Sequence, residues 1–129
     1  MTEVTLTYEL LDRKNACECE LDLFAEKFPN NISVSSEKEI VDIAKIYYRH
    51  FCVGWASRNL LFDEYKYDYQ KTERKAYGKY NIIAQKALND YRDKYTDKYI
   101  KVENQAYNEY LKTIAIAFAR LYYKQESLK

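Results

Sequence analysis

The sequence predicts an all-α protein. A cluster of short helices spans residues 1–62 and a long helical region spans 63–129, within one structural domain. Three observations predict this. Two glycines and one proline in 129 residues leave few places for a helix to break. A hydrophobic content of 47% supports a modest core and argues against general disorder. From Tyr77 to Leu121 the sequence also repeats every eleven residues. Tyr77, Leu88, Tyr99, Tyr110 and Leu121 form one series; Tyr80, Tyr91, Val102 and Thr113 form a second; Ala84, Tyr95, Ala106 and Ala117 form a third. Eleven residues in three turns is about 3.67 per turn, so all three series fall on one narrow stripe of a nearly straight helix.

The elements follow in order. Thr7 to about Lys14 is a short helix with Leu6, Leu10 and Leu11 giving it an apolar side, and Asn15 sits where a left-handed stop residue belongs. Ala16 to Lys27 is a second helix, with Ala16, Cys17, Leu21, Phe24 and Phe28 near helical spacing. Pro29 ends it, helped by Asn30 and Asn31. Ile32 to Ser35 alternates as a short extended segment. Ser36 and Glu39 then form a capping box, in which the hydroxyl takes a first-turn amide and the carboxylate reaches back. The helix it opens carries Ile40, Ile43, Ala44, Tyr47, Tyr48 and Phe51 on one side, and Gly54 is a candidate break. Trp55 to Leu61 is a further turn or two, with Trp55, Leu60 and Phe62 available for the core.

Beyond Phe62 only Gly78 interrupts good helix formers. Summed propensity favours one helix from about Asp63 to Gln125, roughly 90 Å long, and a break at Gly78 is the alternative. Between Asn89 and Glu109 the apolar face is narrow, with Asp90/Lys94 and Asp97/Lys101 as favourable pairs. Between Tyr110 and Tyr123 the chain is apolar nearly all round, which demands burial on several sides.

Charge is unevenly divided. Residues 1–62 hold seven Lys or Arg against ten Asp or Glu, a balance of −3; residues 63–129 hold fourteen against ten, a balance of +4. The mixed signs of the second half read as a solvated face rather than a nucleic-acid footprint, so nucleic acid is not the expected partner. No apolar run approaches the roughly 18–20 residues of a membrane span, and the acidic, amphipathic start does not read as a signal peptide. An odd number of cysteines, three, fits reduced thiols and a cytoplasmic protein.

Several motifs together carry a resemblance. Ala16-Cys17 opens a helix, Phe24 and Phe28 stand before Pro29, and Trp55-Ala56 leads to Leu60-Leu61. Behind them come Ala76-Tyr77-Gly78-Lys79-Tyr80 and Ala106-Tyr107-Asn108-Glu109-Tyr110. This pattern resembles a group of small helical proteins of bacteriophages and prophages. The resemblance implies a phage or mobile-element origin and brings no catalytic residues.

The chemistry-bearing residues are sparse. Cys17, Cys19, His50 and Cys52 form a Cys-x-Cys…His-x-Cys set, but one-residue gaps on a helix point side chains about 200° apart, so no metal is expected. His50 and Cys52 are two apart and would not face each other on a helix, which disfavours a Cys–His hydrolase. Cys17 and Cys52 read as small core residues and His50 as a surface residue at a helix end. Two isolated glycines cannot form a phosphate-binding loop. The expectation is a non-enzymatic protein without cofactors.

Tyrosine is the strongest functional hint, with fifteen copies. Tyr77, Tyr80, Leu88, Tyr91, Tyr95, Tyr99, Val102, Tyr110, Ala117 and Leu121 read as a helix-packing seam, whose length suggests a homodimer pairing two long helices. Tyr65, Tyr67, Tyr69, Tyr107, Tyr122 and Tyr123 fall outside that explanation and are the candidate partner-binding residues. The expected function is binding to a host or phage protein, with inhibition of a host defence system such as CRISPR–Cas as one form. The alternatives are a virion structural or assembly protein, and a nucleic-acid-binding helical protein.

Overall fold

The computed structural model describes residues 3–91 and 96–129. The chain is essentially all-α. It forms β1 (Val4–Leu6), α1 (Tyr8–Arg13), α2 (Glu18–Lys27), β2 (Ile32–Val34), α3 (Glu37–Tyr47), α4 (Val53–Leu60), α5 (Asp63–Tyr91) and α6 (Asp97–Ser127).

Local chemistry sets the boundaries of the short elements. Thr7 caps α1, its hydroxyl accepting from the Leu10 amide at 3.1 Å. Asn15 adopts φ 65° after α1, the left-handed stop its position predicts. Asn31, at φ 64°, turns the chain after Pro29 and accepts from the Tyr8 amide at 2.9 Å. The capping box forms at α3: the Glu39 amide donates to Ser36 Oγ at 3.2 Å. The Glu39 carboxylate reaches back one residue further than expected, to the Ser35 amide at 3.0 Å.

The strand at Ile32–Val34 has a partner that the sequence does not announce. β1 pairs with it antiparallel, Val4 opposite Val34 and Leu6 opposite Ile32. Gly54 is not a break; α3 ends at Tyr47, and Gly54 lies in the first turn of α4. Cys52 caps that helix, its sulfur accepting from the Trp55 amide at 3.4 Å.

The long region is two helices rather than one. α5 runs through Gly78 without interruption and ends at Tyr91. α6 starts at Asp97, where the Thr96 hydroxyl accepts from the Tyr99 amide at 3.2 Å. The two lie antiparallel: Tyr77 meets Tyr110, Tyr80 meets Glu103 and Tyr107, and Tyr65 lies under Lys124. The stripe therefore finds its companion within the same chain, which removes the reason for pairing two chains along it. Tyr77 and Tyr110 stand three repeats apart, so the first series packs on itself across the hairpin.

α6 joins the two parts of the molecule. Its C-terminal half meets α3, α4 and β1, and it packs on α5 from the Tyr65–Lys124 contact to the Tyr80–Glu103 bond. The core gathers Val4, Phe24, Val34, Ile40, Leu60, Tyr65, Tyr69, Ile114, Ala119 and Tyr122, whereas Phe62, expected to be available for it, is 50% exposed. The segment expected to need burial on several sides receives it. Beyond Ala76 and Tyr110, at the edge of this core, α5 and α6 continue as a two-helix arm. Some fifteen more residues of α5 make its overhang roughly 20 Å. Along it the buried positions are Ala84, Ala87 and Ala106, so the backbones approach over small side chains.

Candidate protein-binding surface on the helical arm

The six tyrosines singled out as partner-binding candidates separate by position along the hairpin. Tyr65, Tyr69 and Tyr122 are buried in the core and cannot touch a partner in this fold. Tyr69 lies by Ser57 of α4, and Tyr122 reaches the ribbon formed by β1 and β2. Tyr122 is 1% exposed, and its hydroxyl donates to the Thr5 carbonyl at 3.0 Å. Tyr123 is half-buried and donates to the Ser35 carbonyl at 3.0 Å. Two adjacent phenols thus tie α6 to β1 and to the residue following β2, a structural use of the Tyr122–Tyr123 pair. The Tyr69 hydroxyl is buried near Ser57 and Glu73 without a well-formed hydrogen bond among the described residues. Burial first, then the Glu73 charge, pushes that phenol far above its ordinary range.

Tyr67 and Tyr107 remain available. Tyr67 is 59% exposed, with the Lys71 ammonium 4.7 Å from its ring centre. Tyr107 is 43% exposed and belongs to a cluster of four rings with Tyr77, Tyr80 and Tyr110. Centroid separations of 5.5 Å for Tyr80–Tyr107 and 5.8 Å for Tyr77–Tyr110 are those of favourable aromatic pairs. The Tyr80 hydroxyl donates to Glu103 Oε1 at 2.6 Å, and this bond, then burial, raises its pKa strongly. Tyr110 is raised by burial first and the Glu73 charge second.

The seam residues also divide. Tyr80, Leu88, Tyr99, Val102, Tyr110, Ala117 and Leu121 are half-buried, as packing residues should be. Tyr77 is 52% exposed, and Tyr91 is also exposed. A two-helix contact closes over the alanines, so a large ring beside it keeps one face in water. Tyr95 lies outside the described residues, as does the Lys94 of the Asp90/Lys94 pair.

Among the described residues, seven of the eleven exposed large apolar side chains lie on α5 or the first part of α6: Tyr67, Tyr77, Ile82, Ile83, Tyr91, Ile100 and Tyr107. Ile82 is 71% exposed. Of these, Tyr77 and Tyr107 are joined through the Tyr80 and Tyr110 rings into one exposed aromatic group.

The sites weighed for other chemistry lie elsewhere. Cys17, Cys19 and Cys52 are all exposed, which corrects the reading of Cys17 and Cys52 as core residues: both stand at helix N-caps. Among the described residues no three of His, Cys, Asp or Glu are grouped as metal ligands would be. The body holds an apolar cavity of about 120 Å³ lined by Phe24, Phe28, Phe51, Trp55 and Phe118, with Glu20 at its edge. No described helix is long and apolar enough to cross a membrane.

One buried polar residue escapes sequence reasoning. Gln125 is 2% exposed; its amide donates to the Leu60 carbonyl at 2.9 Å and accepts from the Phe62 amide. It clasps both sides of the α4–α5 link and so fastens the start of α5 to the C-terminal end of α6. Nothing local in Tyr122-Tyr123-Lys124-Gln125 signals this, because the partners lie more than sixty residues away.

No family model, curated protein or solved structure matches the chain.

Proposed function

We propose that this chain acts by binding another protein, without catalysis or a cofactor, and that the tyrosine flank of the arm is the contact surface. The observation that supports the reading most is the exposed aromatic group of Tyr77 and Tyr107, held rigid by Tyr80 and Tyr110. Tyrosine offers large, stiff, amphipathic contact area at low entropic cost, and here neighbouring rings already fix its orientation. The resemblance to phage proteins points to a partner in the cytoplasm of a bacterial host, with a component of a defence system as the first candidate.

A photo-crosslinking residue at Tyr107, compared with one at Tyr8 on the body, tests this in the host cell. The expected result is one protein captured in fixed proportion from Tyr107 and not from Tyr8. Tyr77→Ala with Tyr107→Ala should reduce that capture at least tenfold while helix content is retained. Equal capture from both positions, or capture indifferent to the double change, overturns the assignment.

A further inference from the structure

The arm has a second flank. Lys75 and Lys79 lie about 160° around the helix from Tyr77, on the far side of α5. There a groove of about 530 Å³ runs between α5 and α6, with Ala76, Ile83, Val102 and Ala106 as its apolar lining and Lys75 and Lys79 on its rim. Lys71, one turn earlier and beyond the groove, has its ammonium over the Tyr67 ring, and Lys71, Lys75 and Lys79 form an exposed row of like charge at i, i+4 and i+8 along α5. Like charges at that spacing repel and weaken the helix that carries them.

Helix α2 carries the opposite row at the same spacing. Glu18, Asp22 and Glu26 stand at i, i+4 and i+8 and are all exposed. Small Ala25 shares their face. Among the described residues, none of these six charged side chains is in an ion pair. Each row is about 12 Å long. Rows of this i±4 type interdigitate in the commonest mode of helix packing. The opposite face of α2, through Leu21 and Phe24, is buried in its own body, so the acidic row points outward.

We infer that a second copy of the chain docks on this flank, laying its α2 along the groove so that its acidic row meets the lysine row. If each copy does this to the other, a two-fold axis relates them, both interfaces are identical and the assembly closes as a dimer. The match of sign, spacing and length within one chain favours a second copy over an unrelated acidic protein. The apolar floor disfavours a nucleic-acid backbone. Tyr80 and Tyr110 also wall this groove, but Tyr77 and Tyr107 do not line it, so the dimer leaves those two exposed rings free and the two surfaces are tested by different substitutions.

Charge reversal in two chains tests it. One chain carries Lys71→Glu, Lys75→Glu and Lys79→Glu; the other carries Glu18→Lys, Asp22→Lys and Glu26→Lys. Circular dichroism checks that each is folded, and sedimentation equilibrium reads mass. The unaltered protein should be a dimer at low salt that weakens at least tenfold as salt rises. Each altered chain alone should be a monomer, because both its rows then carry one sign. A one-to-one mixture should restore the dimer, because acidic α2 again faces a basic arm in one interface and basic α2 an acidic arm in the other. An unaltered protein that is monomeric at low salt overturns the inference. So does a dimer that survives in either altered chain, or folded chains that fail to associate on mixing. An unaltered monomer that shifts duplex DNA through the lysine row would assign the groove to nucleic acid instead.

Discussion

The two halves of α6 use tyrosine in opposite ways. In the C-terminal half, Tyr122 is buried and its hydroxyl is consumed by a ribbon carbonyl. In the N-terminal half, Tyr107 packs edge-on against Tyr80 and keeps much of its surface in water. The side chain is the same, and the surroundings decide its role. Around Tyr122 the helix is apolar on several sides and three other elements close over it. Around Tyr107 the single companion is α5, joined through alanines that leave no room to cover a ring. An aromatic residue beside a two-helix contact is stiffened without being hidden, and that combination suits recognition.

The sharpest way to break this comparison is to truncate one tyrosine from each half. Tyr122→Ala removes a buried ring and strands the Thr5 carbonyl, so it should cost about 3–5 kcal/mol in urea unfolding, the range for large aromatic truncations in cores. Tyr107→Ala gives up ring contacts at the surface and should cost about 1 kcal/mol or less. Equal losses would mean that the arm is as tightly integrated as the body and that its exposed rings are structural.

Gly78 provides a smaller test, confined to the arm. It lies inside α5, exposed, with nothing within 4 Å of where a Cβ would stand. Gly78→Ala should therefore stabilise the protein by about 0.5–1 kcal/mol, through helix propensity and a less disordered unfolded chain. The measurement is the urea midpoint, supported by slower amide exchange in α5. No gain in either would mean that the arm frays locally before the body unfolds, so that its stability is uncoupled from the global transition.

Local chemistry was legible in the sequence wherever cause and effect lie within a few residues. Asn15 stops α1, Ser36 and Glu39 open α3, and Ile32–Val34 is extended. The apolar surround of Tyr110–Tyr123 foretells deep burial. The end of α5 was not legible, because the eleven-residue pattern continues across it in register and no glycine or proline marks it. The available signal is Thr96 followed by Asp97, a cap residue and a first-turn acid, which is a helix start inside an uninterrupted stripe. The stripe predicts that a helix needs a companion, and periodicity alone cannot say whether the companion is in the same chain. The fates of Tyr65, Tyr69 and Gln125 depend on contacts formed across the fold, and no local pattern encodes those. Of the candidate site, Tyr67 and Tyr107 were legible as residues the stripe does not explain. Tyr77 was not, since it belongs to the stripe and is exposed all the same.

The smallest expected effect concerns the edge of the body's cavity. Glu20 Oε1 accepts from the Cys52 amide at 3.2 Å, beside the apolar wall. Burial raises the Glu20 pKa above its ordinary value near 4.5, and the Cys52 bond opposes part of that rise. A carboxyl group with a raised folded-state pKa holds its proton more tightly in the native chain than in the unfolded one. Its stabilising contribution is therefore complete below the unfolded value and is lost as pH rises through the folded value. Glu20→Gln keeps an acceptor for Cys52 and removes the charge. The variant should unfold at higher urea than the parent at about pH 7, and the advantage should shrink towards about pH 4. An advantage that is absent at pH 7, or unchanged on acidification, would show that solvent reaches Glu20 as freely as it reaches the lysine row of the arm. The contrast between a dry body and a wet arm would then fail at this edge, where Glu20 is only partly covered and the contrast is weakest.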